Sequence, residues 1–106
     1  MADTATDPWI GKYVIVRTRE AGVHAGILKS RHDRQAELAE SRRLWRWRVK
    51  GNKGITLSDV ATVGLDTKDT KLGAPVSIVL TENCEIIECS PEAAENIAQF
   101  PTHELR

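Results

Sequence analysis

Hydrophobic and polar positions alternate through most of the chain, so the dominant period is that of strands. Residues 12–18 (Lys-Tyr-Val-Ile-Val-Arg-Thr) are rich in β-formers and predict a strand. Tyr13, Ile15 and Arg17 fall on one face of it, Val14, Val16 and Thr18 on the other. Ala21-Gly22 signals a turn, and residues 23–30 read as the returning strand of a hairpin. Gly26 in its middle suggests a bend or bulge. After a polar turn at residues 32–35, residues 36–50 read as one long strand, or as two pieces broken near Ser41. Residues 34–44 also contain good helix formers, but the clean alternation that follows favours a strand. It sets Arg43, Trp45, Trp47 and Val49 on one face and Arg42, Leu44, Arg46, Arg48 and Lys50 on the other.

Helical signals are fewer. Thr56 and Asp59 form a capping-box pattern ahead of Leu57, Val60 and Ala61, and Gly64 is a natural stop. Residues 66–73 read as a polar excursion. Residues 76–80 and 84–89 predict two strands, antiparallel to each other across a turn at residues 81–83. Ser90-Pro91-Glu92 starts a second helix, running to Phe100 with Ala94, Ile97 and Ala98 facing the core. The fold expected is mainly β: a small, strongly curved antiparallel sheet or SH3/Sm-like barrel of about five strands, with a short inserted helix and a C-terminal helix. A small α+β sandwich is the alternative. Residues 1–8 read as a disordered leader, 9–101 as a single domain and 102–106 as a frayed tail.

Composition narrows the class. At 106 residues, 41% apolar and 28% charged, the chain has the make-up of one globular domain. No apolar run is long enough to span a membrane, and the first residues lack the features of a signal peptide, so a cytoplasmic location is expected. The zero net charge hides a polarity of +6 over residues 1–53 and −6 over residues 54–106. That polarity suits either self-assembly or intermixing of the two halves in the fold. Cys84 and Cys89, spaced C-x4-C without a second pair, read as free thiols rather than zinc ligands.

Catalytic signatures are lacking: there is no nucleophile elbow, P-loop, dinucleotide fingerprint or H-E-x-x-H. A non-enzymatic protein without cofactor or metal is expected. The strongest chemical signal is residues 41–48 (Ser-Arg-Arg-Leu-Trp-Arg-Trp-Arg). Arginine supplies a planar fork for phosphate, and tryptophan a surface on which a base stacks. Arg42, Arg43 and Arg46 are therefore the candidate phosphate ligands and Trp45 or Trp47 the stacking platform, with Arg17 and His24 completing the candidate set. A core role for the two tryptophans competes with this reading. In that case Arg43 is a buried cation paired with Glu85 or Glu88, while Arg42 lies on the wet face.

The stretches at residues 10–18, 21–26 and 41–47, continuing through Thr56-Leu57-Ser58 and Glu85-Ile86-Ile87 to the last helix, resemble a family of small uncharacterised phage and prophage proteins. The resemblance implies a genomic setting and no assigned activity. Small accessory phage proteins commonly counter host defences by binding. The reading that follows is a phage accessory protein that sequesters a phosphorylated, nucleotide-like immune signal in a pocket between subunits of a homo-oligomer. A protein–protein inhibitor of a host defence effector, comparable to an anti-CRISPR, is the alternative, and a nucleic-acid-binding module comes third.

Overall fold

The computed structural model describes residues 7–103. Six strands form one antiparallel sheet: β1 (Tyr13–Thr18), β2 (Val23–His32), β3 (Gln35–Arg46), β4 (Lys71–Leu72), β5 (Val76–Leu80) and β6 (Asn83–Glu88). Two short helices, α1 (Leu57–Val63) and α2 (Pro91–Ala98), cover part of one face. The strand order is β4-β3-β2-β1-β6, with β5 beside the first half of β3. Among the described residues no helix is long and apolar enough to cross a membrane.

The local signals fold as their chemistry dictates. Thr56 and Asp59 form the reciprocal capping box, and Ser90 caps α2 by accepting from Ala93 N–H. Asn96 of α2 then clasps Leu65 through both its N–H and its C=O, tying the helices together. The core-facing positions of α2 are Ala93 and Ile97, one turn apart; Ala94 is half-buried, and Ala98, expected inside, is exposed.

The sheet is not a closed barrel. β5 and β6 were expected to pair with each other, yet β5 pairs with β3 and β6 with β1, on opposite sides of the sheet. The cause is curl. A straight ten-residue strand spans about 33 Å. Yet the turns beyond the two ends of β2 both bond one corner: Arg19 N–H donates to Glu82 O and Asn83 N–H to Arg34 O, each at 3.0 Å. β2 is therefore strongly bent, and the step from β5 to β6 crosses from one edge of the sheet to the other. Val14, Val16, Leu28, Ala36, Leu38 and Leu80 fill the concave side. Ile15, Ala25, Leu44, Leu72 and the helices form a second core behind it, so β1 is buried on both faces.

A bulge in β3 decides which side chains go where. Ala25 lies opposite Arg42 and Ile27 opposite Ala39, so β3 holds one residue more than β2 over this interval. Glu40, with φ 53°, takes up the excess. Gly26 lies against the bulge: a Cβ there would stand 2.8 Å from Ala39 O. The bend foreseen at Gly26 thus has its irregular backbone on the facing strand. Past the bulge the faces of β3 exchange, and Leu38 enters the concave core while Arg42 and Leu44 enter the helix-covered one. A two-residue strand, β4, also lies within the stretch read as a polar excursion.

The ends of the domain are anchored. Residues 1–6 of the expected leader lie outside the described residues. Asp7 forms a forked ion pair with Arg31 at 2.8 and 3.0 Å, and Arg31 in turn stacks over Trp9. At the other end Thr102 and His103, read as tail, bond Arg42 and Leu72 O. The two charged halves intermix: five of the seven ion pairs among the described residues join one half to the other.

Candidate functional site

The seven candidate residues do not form one cluster. Arg42, expected on the wet face, is 2% exposed. Its Nε donates to Gly73 O at 3.0 Å, Nη1 to Ile97 O at 3.1 Å and to Phe100 O, and Nη2 to Thr102 Oγ1 at 3.0 Å. It binds the carbonyl end of α2, where the helix dipole is negative, and holds that helix to the sheet. Burial lowers its pKa, and guanidinium is basic enough to remain charged. Arg42 is a structural residue with no surface left for a ligand.

Arg43 takes the opposite place. The expectation of a buried cation paired with Glu85 or Glu88 fails, because the bulge turns Arg43 out to solvent. Its Nη2 donates to Ala21 O at 2.7 Å, which steadies the side chain and leaves four N–H groups without a partner among the described residues. Trp45 is 76% exposed and therefore not a core residue. A second register irregularity, between Leu44 and Arg46 against β4, falls on it and aims the indole outward. Trp47 is half-buried against the helix-covered core.

Arg43, Trp45 and Trp47 line one groove of about 370 Å³ together with Glu20, Ala21 and Val23. The β1–β2 turn makes the opposite wall and is tightly built. Thr18 Oγ1 donates to Gly22 O and accepts from Ala21 N–H, both at 2.8 Å, and Gly22 has the positive φ of 85° that the turn requires. His24, 2% exposed, donates from Nε2 to the same Ala21 carbonyl at 2.8 Å. Its pKa is lowered by burial, with the Arg43 charge adding to the effect. His24 thus supports the wall from behind, without reaching the groove surface.

The remaining candidates stand apart. Arg46 lies 3.9 Å from Asp69, which also binds Arg48 at 3.1 Å. Arg17 faces Glu85 across β1 and β6 at 3.5 Å. Glu20, Ala21 and Val23 escaped sequence reasoning because only the strand register, which sets Val23 opposite Leu44, brings the turn beside Trp45. No group of His, Cys, Asp and Glu among the described residues is arranged to hold a metal ion.

A family model described as a domain of unknown function, DUF6948, matches residues 11–97. The chain belongs to that family. The matched span runs from Gly11 through Ile97, so it includes the bulge, the groove and the helix end bound by Arg42. No curated protein and no solved structure matches the chain.

Proposed function

We propose that this DUF6948 protein is a non-catalytic binding protein that contacts another protein through the face made by Arg43, Trp45 and Trp47. The observation that carries this reading is Trp45: a large aromatic side chain left 76% exposed by a backbone irregularity, beside an anchored arginine. Exposing an indole forgoes the burial that would stabilise the fold, and Trp and Arg are the residue types that dominate the energetics of protein interfaces. The shape supports the same choice. The groove is partly open rather than enclosed, whereas small-molecule sites enclose most of their ligand. The resemblance to phage proteins supplies the proposed setting, in which the partner is a host defence effector met in the cytoplasm.

A second reading keeps the same residues for a phosphorylated, nucleotide-like ligand. It draws on the four N–H groups of Arg43 that have no partner among the described residues, next to an exposed indole. One experiment separates the two. Wild type, Trp45→Ala and Arg43→Ala are used side by side to capture partners from host lysate, and the same proteins are titrated calorimetrically with cyclic dinucleotides and ADP-ribose. The protein reading expects one stoichiometric partner held by wild type and lost by Trp45→Ala, with unchanged melting. Heat from a nucleotide, abolished by Arg43→Ala, transfers the site to the second reading. A partner retained equally by all three proteins removes this face from the function.

A further inference from the structure

We infer that β5 is a self-pairing edge, and that two copies of the chain join antiparallel through Val76–Leu80 across a two-fold axis. Among the described residues β5 pairs with β3 alone, and no backbone hydrogen bond reaches its other side. Every second residue of an edge strand points its N–H and C=O away from the neighbour, which leaves a ready template for another strand. Natural proteins guard such edges with charge. β6, the opposite edge, is guarded: it carries Glu85 and Glu88, held by Arg17 at 3.5 Å and Lys12 at 2.8 Å. Two β6 edges side by side would set carboxylate against carboxylate. β5 reads Val-Ser-Ile-Val-Leu and has no charge at any position.

The occupant that fits is a second copy, because β5 is complementary to itself. With Ile78 on the axis, Val76 faces the partner's Leu80 and Ser77 faces the partner's Val79. No like charges meet, and both exposed valines of the strand, Val76 at 53% and Val79 at 51%, gain a cross-strand neighbour. Pro75, just ahead of the strand, lacks the N–H that would prolong the pairing, so the contact is confined to five residues. A contact of that length falls well below the roughly 1,200 Å² of stable interfaces. The dimer therefore exchanges with monomer and grows with concentration. The Trp45 groove lies on the other half of β3, beside β4, and stays open in both states.

Sedimentation velocity over a concentration series tests this, with reductant present because Cys84 is exposed. Wild type is expected to move from the 11.8 kDa monomer toward twice that mass. Val79→Lys and Ser77→Lys place a charge on the edge at exposed positions, and each is expected to weaken association at least tenfold with an unchanged melting curve. Trp45→Ala is expected to dimerise like wild type. The inference is overturned if wild type stays monomeric at the highest soluble concentration, or if both lysine variants dimerise normally. Dissociation in about 0.5 M salt, where screening acts within a few ångströms, would assign the contact to the oppositely charged halves and overturn it as well.

Discussion

Replacing Arg42 tests how the C-terminal helix is held. The guanidinium spends donors on Gly73 O, Ile97 O, Phe100 O and Thr102 Oγ1, and no carboxylate is among its partners. Arg42→Ala leaves three backbone carbonyls without this donor and a void where the stem lay. An orphaned buried polar group costs about 1–3 kcal/mol, and truncating a large buried side chain to alanine costs about 2–5 kcal/mol. A loss of about 3–5 kcal/mol is expected, a large share of the roughly 5–15 kcal/mol that stabilises a domain. In urea melts followed by circular dichroism, with a slope of about 1–3 kcal/mol/M, the midpoint should fall by on the order of 2 M. Amide exchange should speed up most in α2. Arg42→Lys keeps the charge but not the fork, and should recover less than half of the loss. Arg43→Ala, at an exposed site, should stay within about 0.5 kcal/mol of wild type. A loss below about 1 kcal/mol for Arg42→Ala, full rescue by lysine, or greater damage from Arg43→Ala would refute the assignment.

Gly26→Ala drives a Cβ to 2.8 Å from Ala39 O and 3.0 Å from Ser41 Cα, both backbone atoms; a loss of about 1–3 kcal/mol is expected in the same melts. His24 has its pKa lowered by burial, so the unfolded chain takes up a proton before the folded one. Stability should therefore drop as pH falls through the ordinary histidine range near 6.5, and His24→Gln should flatten that part of the profile. The Cys89 thiol is pushed up to about 12 by burial, with the Glu88 charge adding to it, whereas Cys84 is exposed. A thiol reagent at pH 8 should therefore label one cysteine per native chain, and two labels would show that Cys89 is accessible.

What the sequence discloses is what a few neighbouring residues decide. The capping box at Thr56 and Asp59, the Ser90-Pro91 start and the turn at Ala21-Gly22 each complete their hydrogen bonds within four residues, so their reading is local and holds. Strand pairing beyond one turn is a property of the whole sheet. Residues 81–82 look like any hairpin loop; they join opposite edges because Ile78 and Leu80 from one edge and Ile86 from the other all fill the concave core.

Arg42 and Arg43 are misplaced through the choice of buried face and not through their alternation, since Arg42 beside Leu44 with Arg43 opposite is the arrangement found. Alternation along residues 36–50 predicts correct faces only if the strand is regular, and the bulge falls on Glu40, a residue type that gives no hint of a positive φ. One extra residue exchanges the faces beyond it. It sets Arg42 and Leu44 on the helix-covered side instead of the side of Leu38, and Arg43 on the other, so that the tryptophans share a face with no core residue of the first half of the strand to mark it as buried. The signal that was available is Gly26, read as a bulge on its own strand when it marks close approach by the neighbour. Leu44, which shares a face with Arg42, is the residue that marks that face as the buried one, against the pull of Trp45 on the other. A buried arginine two residues from a buried leucine needs carbonyl or carboxylate partners. Here the end of α2 supplies the carbonyls, so fixing the last helix and freeing Arg43 for the groove are two results of the same inserted residue, while the separate irregularity at Trp45 turns the indole out beside it.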